Sequence, residues 1–307
     1  MSLVPSAETR IPLGKSGLSV APMGWGMWRL LGGDRMSTRR RVEAALEIGC
    51  TLFDTADIYG YGGERGFGGA ESLLGEVLRE APQLRERMVL ATKAGITPPV
   101  PYNSSARYLL DACEASLRRL GVERIDLFQV HRPDLLAHPA EVAQALERLR
   151  SAGKIQAAGV SNHTAAQVDA LCAYLPFDLA SVQNEFSPLV IEPLSDGTLD
   201  QAMRRGMAVL AWSPLAQGRL AASIGEASDQ SRVARVIDAL DAVAARAGRP
   251  RSAVAYAWVM AHPARPIPLV GSQTPDRIRE ARSAYSVQLT REEWYRILVA
   301  SRGARMP

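Results

Sequence analysis

Short apolar runs alternate with longer stretches in which apolar residues recur every three or four positions. The short runs are rich in strand formers, whereas the longer stretches are typical of amphipathic helices. After a hairpin that turns at 15–17, eight strands are predicted near residues 22, 52, 90, 127, 157, 181, 209 and 268. Helices are predicted at about 38–49, 70–80, 105–120, 139–151, 164–174, 199–205, 231–247, 251–262, 275–283 and 291–301, and a loop at 213–229.

Two boundary signals support these elements. Ser37 is a candidate N-cap of the first helix, and Gly121 ends the helix at 105–120. The first barrel strand is predicted to run from Val20 to Gly26, directly out of the hairpin.

The regular alternation of strand and helix predicts the fold class. Repeated βα units with short connections require parallel strands and right-handed crossovers. Eight such units predict an α/β protein with a (β/α)8 TIM barrel, an N-terminal β-hairpin plug and extra C-terminal helices. A doubly wound sheet also alternates, but the first turn, at 24–28, lacks the GxGxxG spacing of dinucleotide-binding sheets. Since α/β barrels reach this length, a single domain over 1–307 is predicted.

Composition narrows the setting. The chain has 307 residues and a net charge of +4, with basic residues scattered among acidic ones. The densest basic cluster, 39–41, is interpreted as a solvated helix face, so no nucleic-acid partner is expected. No apolar run approaches ~18 residues and no signal peptide is found, so no membrane association is expected. Three cysteines without paired spacing favour a reduced, cytoplasmic location.

Polar residues fall at the carboxyl ends of six successive strands, where barrel enzymes keep their active sites. A phenol is a poor acid at neutral pH because its ordinary pKa is about 10. Tyr59 therefore needs a neighbouring cation, for which Lys93 is the candidate, and Asp54 is the carboxylate that would hold that cation. The strand-end residues are Asp54, Lys93, His131, Ser161, Asn162, Gln183, Trp212 and Ser213.

Two glycine-containing segments raise the question of phosphate binding. The loop at 60–69 lacks the Lys-Ser/Thr ending of a P-loop and is interpreted as a mobile rim loop. By contrast, the segment from Gly271 to Arg277 combines a Gly-Ser turn, a helix start near Thr274 and an arginine. Exposed amides beside a guanidinium predict a phosphate site after the eighth strand.

Seven ordered motifs follow the predicted strands: Asp54-Thr-Ala-Asp-Ile-Tyr59-Gly60, Ala91-Thr-Lys93, Asp126-Leu-Phe-Gln-Val-His131-Arg-Pro133, Gly159-Val-Ser-Asn162, Val182-Gln183-Asn184-Glu185, Ala211-Trp-Ser-Pro-Leu215 and Pro268-Leu-Val-Gly-Ser272 through Arg277. With these motifs the chain resembles the aldo-keto reductase superfamily from about residue 11 to 296. Three further stretches resemble a bacterial branch of oxidoreductases with poorly defined substrates: His131-Arg-Pro-Asp134, Gln183-Asn-Glu-Phe-Ser-Pro188 and the Trp-Tyr-Arg-Ile of the last helix.

The resemblance implies NADPH-dependent reduction of a small carbonyl substrate, an aldehyde or a ketone, to an alcohol by hydride transfer. Asp54, Tyr59, Lys93 and His131 would be the catalytic residues, with Tyr59 as the proton donor and its pKa lowered by Lys93. Ser161, Asn162 and Gln183 would bind the carboxamide, and Trp212 would stack on the nicotinamide. The other implied cofactor-binding residues are Gly26, Met27, Trp28, Ser213, Leu215, Gln217, Gly218, Gly271, Ser272, Gln273 and Arg277.

Several alternatives stay open at this point. Many relatives carry lysine at the place of Gly271, so 2′-phosphate binding would depend on Arg277, and NAD is an alternative cofactor. A nicotinamide-binding sensor with little turnover is an alternative function. A metal-dependent hydrolase is disfavoured because the four histidines form no HxH pair at a strand end. The aromatic residues Trp25, Trp28, Tyr61 and Phe186 are interpreted either as a substrate wall or as core. The sequence identifies neither the substrate nor the oligomeric state.

Overall fold

The eight predicted strands close into a parallel barrel in the computed structural model, which describes residues 3–221 and 230–306. Each strand pairs with its neighbours in chain order, and the last pairs with the first. The barrel strands are β3 (Gly24–Gly26), β4 (Leu52–Asp54), β5 (Val89–Ala94), β6 (Ile125–Val130), β7 (Ile155–Ser161), β8 (Ser181–Glu185), β9 (Ala208–Trp212) and β10 (Ile267–Val270). The predicted (β/α)8 barrel is therefore confirmed.

The N-terminal hairpin is also confirmed, and it consists of β1 (Ile11–Pro12) paired antiparallel with β2 (Ser19–Val20). The single strand predicted over 20–26 was wrong, because Val20 belongs to the hairpin and the barrel strand starts at Gly24. Within the loop predicted at 213–229, residues 216–218 form a 3-10 turn, whereas 222–229 lie outside the described residues.

Helices surround the barrel and agree with the predicted ones to within a few residues. The helices are α1 (Arg35–Glu47), α2 (Gly69–Glu80), α3 (Ala106–Leu120), α4 (Pro139–Ser151), α5 (Ala165–Cys172), α6 (Thr198–Arg205), α7 (Gln230–Ala247), α8 (Arg251–Met260), α9 (Pro275–Glu280) and α10 (Arg291–Arg302). None of the described helices is long and apolar enough to span a bilayer.

Local capping explains where these helices begin and end. The side chain of Ser105 accepts a hydrogen bond from the Tyr108 amide at the start of α3, and Gly121 ends that helix with a left-handed φ of 68°. For α1 the predicted cap was wrong. Asp34 is the N-cap and accepts a 2.6 Å hydrogen bond from the amide of Ser37, so the helix starts three residues before the expected position. A carboxylate at this position also interacts favourably with the helix dipole.

The protein has two buried apolar clusters. The larger lies between the barrel and its helices, and the smaller fills the barrel below the polar strand ends. Leu13 and Val20 of the hairpin are fully buried in the smaller cluster, so the hairpin closes the N-terminal end of the barrel. At Gly14, whose φ is +55°, an added Cβ would lie 2.7 Å from Ala180 Cα, so only glycine allows this close approach.

Two C-terminal helices are joined by a reciprocal pair of tryptophans. The rings of Trp258 in α8 and Trp294 in α10 stack with their centroids 5.0 Å apart and an interplanar angle of 7°. Each indole N–H donates to the backbone carbonyl of the other tryptophan, at 3.1 and 3.0 Å. This arrangement satisfies both indole N–H groups, with the ring of Trp258 buried and that of Trp294 partly buried.

Candidate active site

A cleft of about 1260 Å³ opens at the carboxyl ends of the barrel strands. Its floor is built from residues at the ends of successive parallel strands, which share one rim of a barrel. Among the residues predicted for the site, those that line it are Gly26, Trp28, Asp54, Tyr59, His131, Ser161, Asn162, Gln183, Trp212, Ser213, Leu215, Gln217, Gly218, Gly271, Ser272, Gln273 and Arg277. The structure thus brings together residues that are more than 200 positions apart in the chain.

A buried ion pair lies at the base of the cleft. Lys93 Nζ is 2.6 Å from Asp54 Oδ2 and donates a second hydrogen bond to the carbonyl of Thr55 at 2.8 Å. Both side chains are at most 3% exposed. Burial is the largest single influence and lowers the pKa of Lys93, but charge attraction and hydrogen bonding to Asp54 and Tyr59 together outweigh it, and the net pKa is raised. The lysine is therefore a fixed cation at neutral pH.

The other carboxylate oxygen of Asp54 accepts hydrogen bonds from two buried amides. Gln183 Nε2 lies 2.9 Å and Gln129 Nε2 3.3 Å from Asp54 Oδ1. Gln183 thus contacts the buried carboxylate as well as lining the cleft. Gln129 was missed by the sequence analysis. The sequence did contain a signal for Gln129, since it is a polar residue in the otherwise mainly apolar strand β6, two positions before His131. Side chains two residues apart share one face of a strand, so this spacing indicates that Gln129 faces the same side as His131.

Tyr59 lies above the ion pair. The Lys93 ammonium is 4.9 Å from the centroid of the phenol ring. Burial raises the pKa of Tyr59 above its ordinary value, while the positive charge of Lys93 opposes this rise. The lysine therefore acts in the expected direction, but the net pKa shift is upward. The phenol is consequently protonated at neutral pH, as a proton donor must be.

His131 packs edge-on against Tyr59, with ring centroids 5.7 Å apart. Burial, together with the positive charges of Lys93 and Arg132, holds the pKa of His131 well below its ordinary value. The imidazole is therefore neutral, and a neutral imidazole has one N–H donor and one acceptor nitrogen. Its Nδ1 is buried and has no hydrogen-bond partner among the described residues. The ring can orient a carbonyl oxygen by hydrogen bonding.

A second group of polar side chains forms one wall of the cleft. Asn162 accepts a 3.0 Å hydrogen bond from the Trp212 indole and donates to Ser161 Oγ at 2.8 Å. Ser161 Oγ in turn donates to the carbonyl of Gln183 at 2.8 Å. Amide, hydroxyl and indole groups in this arrangement match the donors, acceptors and flat ring of a nicotinamide carboxamide.

Strained backbone is concentrated in this wall and the adjoining loop. Asn162, Ser213, Ala216 and Gln217 have positive φ values of 60°, 49°, 48° and 61°. Non-glycine residues in this region cost about 1–3 kcal/mol each and tend to cluster where a ligand is held. The carbonyl of Gln217 also accepts a 2.5 Å hydrogen bond from Arg29, which extends from the loop after β3 across the cleft. Arg29 was not singled out by the sequence analysis.

The segment from Gly271 to Arg277 lies at the far end of the cleft. Gln273 is held on both sides, because its Nε2 donates to the Gly26 carbonyl at 3.1 Å and its own carbonyl accepts from Arg41 at 2.8 Å. Arg277 is exposed on the first turn of α9, and no ion pair neutralises it among residues 3–221 and 230–306. These groups form a cationic subsite suited to a phosphate.

The aromatic candidates separate into two pairs. Trp25 and Phe186 are buried in the larger apolar cluster, so they pack the core. Trp28 and Tyr61 are 53% and 57% exposed and line the cleft. Met27 is fully buried, and its side chain does not line the cleft.

Between β4 and α2, Gly63 packs so closely on Leu31 that an added Cβ would lie 1.6 Å from the Leu31 carbonyl oxygen.

The chemistry that this arrangement supports is proton donation to an oxygen that gains negative charge. A protonated phenol beside a fixed ammonium, with a neutral imidazole opposite, provides directed donors at the base of the cleft. Among the described residues, no cluster of three or more histidine, cysteine, aspartate or glutamate side chains has the geometry of a metal site.

Comparison with known proteins agrees with this geometry. Residues 22–300 match the model of the Aldo/keto reductase family. Over its full length the chain is 51% identical to "6-dehydroglucose reductase" of Novosphingobium aromaticivorans, which is also covered completely. It is 36% identical to "Oxidoreductase YdhF" of Escherichia coli, over 94% of this chain and 99% of that protein. It is 33% identical to a second "6-dehydroglucose reductase", from Agrobacterium fabrum, over 93% of this chain and 96% of that protein.

Proposed function

Because this chain belongs to the aldo/keto reductase family of oxidoreductases, we propose that it reduces an aldehyde to an alcohol with NADPH, and that Tyr59 donates the proton. The bound nicotinamide would supply hydride to the carbonyl carbon. Tyr59 would protonate the carbonyl oxygen, and Lys93 would stabilise the phenolate that remains. Neutral His131 would orient the oxygen by a hydrogen bond before transfer. Asp54 would hold Lys93 in position.

The observation that carries this proposal is the buried contact between Lys93 and Asp54 beneath Tyr59. An ammonium that is 2.6 Å from a carboxylate and 4.9 Å from the phenol ring has no evident structural purpose at the base of an open cleft. Buried ion pairs contribute little net stability, because desolvation offsets the attraction. The pair of Lys93 and Asp54 is therefore better explained by a role in catalysis than by a role in stability.

For the cofactor, Ser161, Asn162 and Gln183 would bind the carboxamide, and Trp212 would stack on the ring. Ser213, Leu215, Gln217 and Gly218 would border the pyrophosphate. Ser272 and Arg277 would bind the 2′-phosphate, which is the reason for preferring NADPH over NADH. All ten of these residues line the same cleft, and its volume of about 1260 Å³ accommodates a dinucleotide together with a small substrate.

For the substrate, we propose a polyhydroxylated aldehyde such as 6-dehydroglucose. Support comes from the names of two relatives, of which one is 51% identical over its whole length. The cleft is consistent with a sugar, because the exposed rings of Trp28 and Tyr61 offer flat apolar surfaces and the guanidinium of Arg132 offers hydrogen-bond donors. Arg132 lies 5.9 Å from the centroid of the Trp212 ring, close to the proposed nicotinamide position.

The test is the Tyr59→Phe variant, assayed by NADPH oxidation with 6-dehydroglucose and a panel of other aldehydes. We expect kcat to fall by about 10²–10⁴-fold, the usual contribution of a general acid. NADPH binding, measured by protein fluorescence, should be nearly unchanged because phenylalanine keeps the aromatic ring of Tyr59. Tyr61→Phe is the matched control, since that phenol lines the same cleft but is 57% exposed.

Two outcomes would contradict the proposal. Full activity in Tyr59→Phe with a good substrate would exclude Tyr59 as the proton donor. Tight NADPH binding by the unmodified protein without oxidation by any carbonyl would point instead to a cofactor-binding sensor.

A further inference from the structure

A second polar cluster lies outside the barrel wall, behind the residues that line the cleft. We call it the outer acid cluster, and it consists of Asp57, Glu71, Thr92, Tyr108 and Arg119. Asp57, Glu71 and Thr92 are completely buried. The proposed reaction uses none of the five. A buried pair of carboxyl groups without a catalytic assignment requires a physical explanation.

The two carboxyl groups are satisfied very unequally. Glu71 accepts 2.5 Å and 2.6 Å hydrogen bonds from the Thr92 hydroxyl and from Arg119 Nε, one on each oxygen. Asp57 accepts from the Tyr108 hydroxyl on Oδ2 at 3.1 Å, whereas its Oδ1 is buried without a partner among the described residues. An ionised carboxylate with so few donors is costly to bury.

The charge balance shows which carboxyl group takes up a proton. The charged and titratable groups facing Asp57 are Glu71 from α2, and Tyr108 and Arg119 from α3. One guanidinium faces two carboxyl groups, and Arg119 is already paired with Glu71. Burial, followed by repulsion from Glu71, raises the pKa of Asp57 to about 8. Asp57 is therefore the neutral member of the pair at pH 7.

Backbone hydrogen bonds connect the outer acid cluster to the catalytic candidates. The amide of Asp57 donates to the carbonyl of Lys93 at 2.9 Å, and the amide of Ala70 donates to the carbonyl of Tyr59 at 3.1 Å. Asp57 precedes Tyr59 by two residues, and Glu71 directly follows Ala70. The segment that carries the phenol is thus attached to the strand that carries the ammonium at the position of Asp57.

We propose that Asp57 is a positioning residue whose neutral form holds the Tyr59 segment against β5 and whose ionisation at alkaline pH loosens that contact. The proton is lost to solvent, and the rate of carbonyl reduction falls with it. This inference rests on the proposed reductase function. Tyr59 itself does not set this limit, because burial raises its pKa above the ordinary value for a phenol.

The first test compares the pH dependence of kcat in the unmodified protein and in Asp57→Asn, from roughly pH 6 to pH 10. The unmodified protein should lose activity above about pH 8, with the decline approaching about tenfold per pH unit. Asparagine keeps the neutral form, so the variant should retain the neutral-pH rate and lose this alkaline decline. An unchanged alkaline decline in Asp57→Asn would overturn the proposal.

Glu71→Gln provides a variant with the opposite expected shift. Removing the neighbouring negative charge should lower the pKa of Asp57 and move the alkaline decline to lower pH. A purely structural disturbance would lower the rate at every pH without moving the midpoint. A Glu71→Gln midpoint at the same pH as that of the unmodified protein would contradict the charge argument.

Infrared difference spectroscopy gives a readout that does not require turnover. A protonated carboxylic acid band should be present at pH 7, disappear above about pH 8, and be absent in Asp57→Asn. Absence of that band in the unmodified protein would overturn the inference, whatever the enzyme does. If the band behaves as expected but no carbonyl is reduced, the proposed function fails separately.

Discussion

At the scale of single residues, Asp54 is where the polar contacts inside the barrel converge. It receives hydrogen bonds from Lys93, Gln183 and Gln129, at 2.6, 2.9 and 3.3 Å. Each donor comes from a different strand, so the position of the ammonium is determined by the barrel rather than by a flexible loop. This explains how one lysine can be held rigidly beneath a phenol.

Arg277 permits a prediction about cofactor choice at this scale. If it binds the 2′-phosphate, Arg277→Ala should weaken NADPH binding by about 10–100-fold, as expected for a charged hydrogen bond of ~1.5–3 kcal/mol. NADH binding should be nearly unchanged, because that cofactor lacks the phosphate. The measurement is the Kd for each cofactor by fluorescence titration.

Arg279→Ala is the matched control for that experiment. Arg279 lies two residues further along α9, does not line the cleft and pairs with Glu47 at 2.7 Å. Removing it should affect both cofactors equally and slightly. Equal weakening of NADPH and NADH in Arg277→Ala would rule out the phosphate assignment.

At the scale of elements, the pattern of apolar positions predicted the barrel because strand and helix periodicities differ clearly. The strand ends also placed Asp54, Lys93 and His131 on one rim. Gln129 could not be assigned in this way, because its role depends on which side chain faces it across the barrel. The start of α1 was missed because Asp34 and Ser37 are equally suitable caps, and only the folded chain decides between them.

The packing of α8 against α10 leads to an element-scale prediction. Trp294→Phe would remove the indole N–H that donates to Trp258, leaving a buried carbonyl without its partner. We expect unfolding free energy to fall by about 1–3 kcal/mol, with kcat unchanged because neither ring lines the cleft. Thermal and chemical denaturation would measure the loss. A fall in kcat with unaltered stability would contradict this view.

At the scale of the whole molecule, two buried histidines and one partly buried histidine make the stability depend on pH. Burial is the main cause that lowers the pKa of His131, His163 and His262. A folded-state pKa below the unfolded value means that unfolding takes up protons as pH falls. The stabilisation is therefore complete above about pH 6.5 and is lost as pH falls below it.

The corresponding prediction is a decrease in unfolding free energy below pH 6.5, of up to about 1.4 kcal/mol per pH unit for each histidine. Denaturant titrations at several pH values would measure it. His131→Gln should show a smaller decrease than the unmodified protein, because it removes one of the three proton-binding groups. An unfolding free energy that does not change between pH 7 and pH 5 would exclude this account.

The carboxylate of Asp54 is already surrounded by its donors before any ligand enters the cleft. The orientation of these hydrogen-bond donors is therefore a property of the folded chain and does not have to be re-established when a substrate binds. Solvent around a free phenol would need to rearrange during every proton transfer, whereas these side chains are already in place. Folding thus orients these donors once, so that no free energy is needed to reorient them in each catalytic cycle.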